Sequence, residues 1–170
     1  MAIRYGTGHW PGTTAELLFD DRRLMVCSPK LLNGRSRADF KLEKQTLIHD
    51  GSKPGWPEWF IAQNALQSGC PTQGLYFDHA YLAVQAAIGG DGVALVSEPL
   101  VDDAIAGGRL ICPSSYALHG FGAYYLVTPL GVVQEPKISI FRDWLLAERS
   151  AQSYNLSRME LEASEFDAVT

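Results

Sequence analysis

Several polar residues of this chain stand where short apolar runs end, and their chemistry is considered first. The stretches 2–5, 46–49, 75–77 and 93–96 each predict a short strand. In open α/β sheets, ligands bind outside the carboxyl ends of the strands. This position favours binding of a small polar molecule over catalysis. The candidate effector-binding residues are Arg4, Tyr5, His49, Asp50, Asp78 and Ser97.

Patterns typical of catalysis or metal binding are not found. The sequence has no Gly-x-Ser-x-Gly nucleophile elbow and no Ser-x-x-Lys motif. No histidine has a second ligand at helical or turn spacing, although the chain holds four, His9, His49, His79 and His119. We therefore expect no catalytic residue, no metal site and no cofactor, and we expect that the protein is not an enzyme.

The stretch 74–96 predicts a strand, a helix and a strand, which together form a parallel βαβ unit. Residues 80–88 are good helix formers, and the glycines that follow them end the helix. Asp78 is predicted to cap this helix by accepting from its first N–H groups. The helix is apolar nearly all round, so we expect it to pack on the sheet with one side and to be covered by another part of the protein on the other. Residues 93–96 are apolar without alternation, which is typical of a strand covered on both faces.

The other predicted elements support an α/β fold class. A turn at 20–22 is predicted to join two short strands, and Ser28-Pro29 is predicted to begin a short helix. Apolar spacing predicts a helix over 56–66, a second that begins at Ser97 and ends at 107–108, and a third over 138–147. In the third helix, the side chains expected to be buried are Ile138, Phe141, Trp144 and Leu145. Further strands are predicted over 17–19, 24–27, 110–112 and 123–127.

Composition excludes several classes of protein. The chain has 170 residues, 46% of them hydrophobic, which is enough for one ordinary domain or two small lobes. A net charge of −5 argues against a DNA-binding surface. Three cysteines without C-x-x-C spacing do not form a disulfide framework and indicate a reducing compartment. No run is long enough to span a membrane, so we expect a cytoplasmic protein without a membrane partner.

Many short stretches, in order, resemble one known family over residues 2 to about 148. They include Ala2-Ile3-Arg4-Tyr5-Gly6, Val26-Cys27-Ser28-Pro29, Thr46-Leu47-Ile48-His49, Phe77-Asp78, Leu82-Ala83-Val84-Gln85-Ala86-Ala87-Ile88, Gly92-Val93-Ala94-Leu95 and Phe141-Arg142-Asp143-Trp144-Leu145-Leu146. The chain resembles the effector-binding domain of LysR-type transcriptional regulators. Within that family it is similar to the subgroup of the glycine-cleavage activator and the β-lactamase regulators.

The resemblance implies a two-lobed, periplasmic-binding-protein-like (type 2) α/β fold with an effector in the cleft between the lobes. It places a partial effector-binding domain at residues 1–148, with the second lobe at about 16–114 and a return to the first lobe at about 123–147. Relatives begin with a winged helix-turn-helix and the first strand and helix of lobe one, so the resemblance implies an N-terminally truncated chain. Residues 149–170 are acidic and predict a disordered tail.

The resemblance implies a regulator domain that senses a small polar metabolite. We expect homo- or hetero-oligomers with LysR-type subunits, and contact with DNA only through a full-length partner or a missing N-terminal domain. Two other readings stay open, a stand-alone small-molecule-binding protein and an interaction subunit that pairs with a full-length relative. An enzyme on the same fold is a more distant alternative, since the fold alone does not assign chemistry.

Overall fold

The computed structural model describes residues 1–51, 55–63, 73–132 and 135–149. These residues divide into two compact units. The central unit is Asp21–Gly120, and the terminal unit joins Met1–Asp20 to the residues from Phe121 onward. The strands are β1 (Ala2–Gly6), β2 (Thr13–Cys27), β3 (Leu47–Asp50), β4 (Gly74–Phe77), β5 (Val93–Ser97) and β6 (Ala117–Pro129). The helices are α1 (Trp56–Ala62), α2 (Ala80–Gly89), α3 (Asp102–Ala106) and α4 (residues 136–149).

In the central unit the strand order is β2-β5-β3-β4. Strand β3 pairs in parallel with both β4 and β5, while β2 runs antiparallel to β5. Helix α2 connects β4 to β5, so the predicted parallel βαβ unit is confirmed. All five residues of β5 are buried, as expected for a strand covered on both faces.

Helices cover both faces of this sheet because successive strand residues point to opposite sides. On one face, the buried residues of α2 and α3 pack against Val26, Ile48 and Val96. On the other face, Trp56 and Trp59 of α1 pack against Met25, Cys27 and Leu95. The buried residues of α2 include three alanines, whose small side chains let the helix lie close to the sheet. The residue after the helix, Gly90, caps its end in the left-handed conformation with φ of 95°.

The terminal unit contains β1, residues 121–129 of β6 and the first residues of β2. Strand β1 pairs antiparallel with β6, from Ala2 opposite Val127 to Gly6 opposite Ala123. Aromatic rings join these strands, with ring centroids 5.1 Å apart for Tyr5 and Tyr124. In the same unit Arg142 anchors α4, because its guanidinium donates to both carboxylate oxygens of Glu16.

The predicted turn at 20–22 is wrong. Residues 13–27 form one continuous strand, and Asp21 lies buried within it. The Asp21 carboxylate accepts a hydrogen bond from Ser97 Oγ, 2.8 Å away, and lies 3.8 Å from Arg23 Nε. These partners allow a run of charged residues to continue the strand. The strand predicted over 110–112 is also wrong, since only Ile111 forms a bridge, to Cys27.

Two predictions for the helix α2 are also wrong. Its N-cap residue is His79, and no side chain bonds the first N–H groups, so the exposed Asp78 does not cap the helix. Its outer face is not covered by any of the residues that the structure describes, since Tyr81 is 66% exposed and Leu82 is 46% exposed.

Helix α4 and two other predicted segments also differ from expectation. Phe141 and Trp144, expected to be buried, are 43% and 54% exposed. The helix predicted over 56–66 ends at Ala62, and residues 64–66 lie outside the described residues. The predicted tail also lies outside them, apart from residue 149. Ser28 and Pro29 do begin a short turn of 3₁₀ helix, as predicted.

Candidate functional site

The central unit contains a pocket of about 250 Å³ at the carboxyl end of β3. Two of the six predicted site residues, His49 and Asp50, line it. This is the end of a parallel strand pair, where α/β folds bind ligands. The polar and aromatic side chains around the pocket are Arg23, His49, Asp50, Trp56, Glu58 and Tyr76.

The other four predicted residues do not line this pocket. Arg4 and Tyr5 belong to the terminal unit, where the Arg4 guanidinium lies 5.0 Å from the centroid of the Trp10 ring. Asp78 is exposed in the loop after β4. Ser97 is buried at the end of β5, where its hydroxyl donates to Asp21. Within the central unit, the structure therefore brings His49 and Asp50 together at one pocket.

His49 is held in one orientation by its neighbours. Its ring stacks on the Tyr76 ring, with centroids 4.2 Å apart and planes 4° from parallel. Burial lowers the pKa of His49, against a smaller opposite effect of its hydrogen bond to the Gln73 backbone. The other ring nitrogen, Nε2, is buried and has no hydrogen-bond partner among the described residues. His49 thus lines the pocket and carries a buried ring nitrogen that no described residue satisfies.

The close approach of β4 to β3 explains why Tyr76 reaches His49. The two residues lie directly opposite each other in the parallel pair. Two residues earlier, a Cβ at Gly74 would lie 2.1 Å from the Leu47 carbonyl oxygen and 3.1 Å from His49 Cδ2. Only glycine fits at this position without a shift of the strands, so Gly74 helps to set the stacking geometry.

Arg23 forms a charged part of the pocket wall. Its side chain is only 3% exposed because strand alternation places Arg23 on the same face as Met25 and Cys27, beneath α1. The guanidinium faces the equally buried carboxylate of Asp21, which Ser97 holds in place. The positive charge of Arg23 is therefore balanced within the protein, as buried charges generally require.

Helix α1 begins at the pocket and is joined firmly to β3. The indole Nε1 of Trp56 donates to the Ile48 carbonyl oxygen at 3.0 Å, and the Trp56 side chain is fully buried. Glu58 accepts a hydrogen bond from the Gly55 N–H at 2.8 Å, which satisfies one of the donors at the start of the helix. Together these bonds fix the position of Glu58 relative to His49.

Sequence reasoning missed Arg23, Trp56, Glu58 and Tyr76 as residues of the site. The sequence did contain a signal for Arg23. In a strand every second side chain points to the same face, so Arg23 shares the face of Met25 and Cys27. The position of Tyr76 depends on the parallel register of β3 and β4, which no local pattern encodes.

A separate group of carboxylates lies around α3. Burial and the nearby carboxylates of Glu98 and Asp103 raise the pKa of Asp102 to about 6. Glu98 is itself buried and lies 3.6 Å from the Arg22 guanidinium. None of these residues lines the pocket. Among the described residues, no three acidic, histidine or cysteine side chains form a cluster that could hold a metal ion.

No helix within the described ranges is long and apolar enough to cross a membrane.

Comparison with known proteins identifies the family. The model of the LysR substrate binding domain matches residues 1–150, so the chain belongs to this family. The glycine cleavage system transcriptional activator of Escherichia coli K12 is 39% identical over 154 residues, which are 89% of this chain and 50% of that protein. The HTH-type transcriptional activator AmpR of Providencia stuartii is 33% identical over 148 residues, 87% of this chain and 49% of the relative. The chain spans about half the length of the curated relatives it matches.

A solved structure supports the same assignment. The effector domain of AmpR from Pseudomonas aeruginosa has a TM-score of 0.69 and 28% identity, with 90% of this chain and 73% of that chain covered. The expected α/β, periplasmic-binding-protein-like (type 2) fold is thereby confirmed. The chain is an effector-binding domain of the LysR type, homologous to transcriptional activators.

Proposed function

We propose that the pocket at the carboxyl end of β3 holds the small polar effector to which this regulator domain responds. The observation that carries the proposal is that His49 lines the pocket while its buried Nε2 lacks a hydrogen-bond partner among the described residues. Buried polar atoms are normally hydrogen-bonded, so an unused one on a residue that lines a pocket favours a ligand there. Asp50, the next residue of β3, supplies a carboxylate at the same pocket.

The remaining predicted residues receive different roles in this proposal. Ser97 acts indirectly, because it holds Asp21 and Asp21 balances Arg23 in the pocket wall. Arg4, Tyr5 and Asp78 stay predicted effector contacts, and they are not among the residues that line the pocket. The pocket residues bind and orient the effector, and we assign no catalytic step to them.

We propose that effector binding controls transcription through LysR-type subunits. LysR family regulators bind small-molecule effectors and act as oligomers. Contact with DNA would be made by a DNA-binding domain or by a full-length LysR-type partner in a homo- or hetero-oligomer. The net charge of −5 supports assigning DNA binding to another part of the assembly.

A second candidate function is that of a subunit that pairs with a LysR-type regulator. Exposed apolar side chains on the terminal unit favour it, since Ile3 and Trp144 are both 54% exposed. Large apolar groups at a surface often mark protein interfaces. Chromatography of the protein with and without a full-length relative would test this candidate, which requires a stable complex.

Thermal unfolding in the presence of small compounds tests the principal proposal. A panel of amines, carboxylates, alcohols and sugars, each at about 10 mM, is screened for an increase in Tm. We expect at least one compound to raise the Tm of the wild type but not of His49→Ala. The matched control is His119→Ala, which removes an exposed histidine of the same unit outside the pocket and should respond like the wild type. A panel without any stabilising compound would contradict the proposal.

A further inference from the structure

The helix α4 of the terminal unit carries an apolar stripe on its outer side. Ile140, Phe141 and Trp144 are 71%, 43% and 54% exposed, and the Phe141 and Trp144 rings touch with centroids 5.5 Å apart. At 3.6 residues per turn, these three positions lie on one side of the helix. Arg142, which bonds Glu16 of β2, lies on the opposite side. The helix is therefore anchored by one side and presents large apolar groups to the solvent on the other, as protein interfaces often do.

An opposite charge stands at each end of this stripe. The positions 137, 141, 144 and 148 are spaced by four, three and four residues, which is the spacing of a seam between two packed helices. Lys137 is 80% exposed, and its ion pair with Glu135, at 3.1 Å, is a surface pair of the kind that contributes little. Glu148 is exposed and forms no ion pair with any residue that the structure describes. The seam thus begins with a cation and ends with an anion.

We propose that this seam packs antiparallel against the same seam of a second copy of the chain, as a symmetric dimer. A two-fold axis between residues 142 and 143 would place Phe141 opposite Trp144 of the partner subunit. The same axis would place Lys137 opposite Glu148 of the partner subunit. A parallel pair would instead place each charge opposite its own copy, which is unfavourable. The order of charges and rings therefore makes the stripe complementary to itself in the antiparallel arrangement.

The length of α4 sets the strength of the dimer. The helix spans residues 136–149, which is about four turns. A single pair of such helices buries less surface than the roughly 1,600 Å² of a standard interface. We therefore expect a reversible dimer with a Kd between about 1 and 100 µM. Dilute protein would then be mostly monomeric, with the stripe exposed. The inference does not depend on the pocket or on an effector.

Sedimentation equilibrium of the full chain over a range of concentrations measures the Kd. Trp144→Ala removes an aromatic group from both sides of the seam, so it should weaken the dimer at least about tenfold. The matched control is Phe121→Ala, since Phe121 is 84% exposed in the same unit but lies outside α4. This control should leave the Kd unchanged. Circular dichroism establishes that both variants are folded.

Reversal of the end charges tests the antiparallel arrangement. Lys137→Glu and Glu148→Lys each place like charges opposite one another at both ends of the seam, so each should weaken the dimer at least about threefold. The double variant Lys137→Glu/Glu148→Lys restores opposite charges and should dimerise nearly as well as the wild type. Lys30→Glu makes the same charge change on an exposed lysine of the central unit and should leave the Kd unchanged.

A mixture of the two single charge variants gives the sharpest result. One copy is then negative at both ends of the seam and the other is positive at both, so the dimer fraction should exceed that of either variant alone at the same total concentration. A chain that stays monomeric at about 500 µM, a dimer unaffected by Trp144→Ala, or charge variants that neither the double variant nor the mixture restores would overturn the inference. A monomer that binds a full-length relative through Trp144 would also overturn it, because the stripe would then belong to a different partner.

Discussion

Replacement of Asp21 by Ala should strongly destabilise the protein, because it leaves a buried guanidinium without its carboxylate. Asp21 and Arg23 lie two residues apart on β2, and their side chains are 1% and 3% exposed. The Asp21 carboxylate also accepts from Ser97 Oγ on β5, so the substitution removes two interactions at once.

The magnitude follows from the cost of an uncompensated buried charge. Removal of one partner of a buried ion pair costs about 3–5 kcal/mol. The distance of 3.8 Å between Arg23 Nε and Asp21 Oδ2 is long for an ion pair, which favours the lower end of that range. We therefore expect Asp21→Ala to lower the free energy of unfolding by about 3 kcal/mol. Ser97→Ala, which removes only a hydroxyl, should cost about 1 kcal/mol.

Urea unfolding monitored by tryptophan fluorescence measures these changes. The matched control is Asp20→Ala, since Asp20 is the exposed neighbour of Asp21 on the same strand and should change stability by less than about 0.5 kcal/mol. The double variant Asp21→Ala/Arg23→Met should be more stable than Asp21→Ala alone, because it removes the unbalanced charge. A cost for Asp21→Ala below about 1 kcal/mol, or a double variant less stable than the single one, would refute the reasoning.

Three further predictions concern other parts of the chain. Burial and neighbouring carboxylates raise the pKa of Asp102 from 3.8 to about 6. The folded state therefore binds this proton more tightly than the unfolded state, and the free energy of unfolding falls as the pH rises from about 4 to 6. The full shift corresponds to about 3 kcal/mol, but solvent screens the half-buried carboxylate, so Asp102→Asn should raise the free energy of unfolding by only about 1 kcal/mol at pH 7. It should have little effect below pH 4, and an equal effect at both pH values would contradict this. Gly74→Ala should lower the midpoint of urea unfolding by the equivalent of about 2 kcal/mol, because its Cβ would meet the Leu47 carbonyl oxygen, whereas an unchanged midpoint would show that β4 can shift without cost. Trp144→Ser should reduce the binding of a hydrophobic fluorescent dye, since half of the Trp144 side chain is exposed, and unchanged dye fluorescence would mean that the apolar surface lies elsewhere.

Local signals were sufficient to predict the central βαβ unit. The strand β4, the helix α2 and the strand β5 each have a short apolar run or a run of good helix formers, with glycines at the end of the helix. These features act between residues close in sequence, so they can be read directly. The same reasoning failed for residues 20–22, because the partner that keeps Asp21 buried is Ser97, 76 residues away.

The candidate site was predicted only in part for the same reason. His49 and Asp50 could be identified because a polar pair directly follows a buried strand segment. Glu58 and Tyr76 could not, since their places at the pocket depend on the packing of α1 and the pairing of β4 with β3. The predicted cap at Asp78 was wrong because His79 occupies the N-cap position, without any side-chain bond to the helix.

The central claim is that a small effector binds at the carboxyl end of β3, and nuclear magnetic resonance of the ¹⁵N-labelled protein tests it most directly. Spectra are recorded with ethylammonium, acetate and ethanol in turn, and with each compound that raises the Tm. We predict that at least one of these ligands shifts the amide signals of His49, Asp50 and Tyr76 together, with saturation at a single Kd. The exposed Asp91, outside the pocket, should remain unshifted. Saturable shifts confined to other residues, or none with any ligand, would contradict the account.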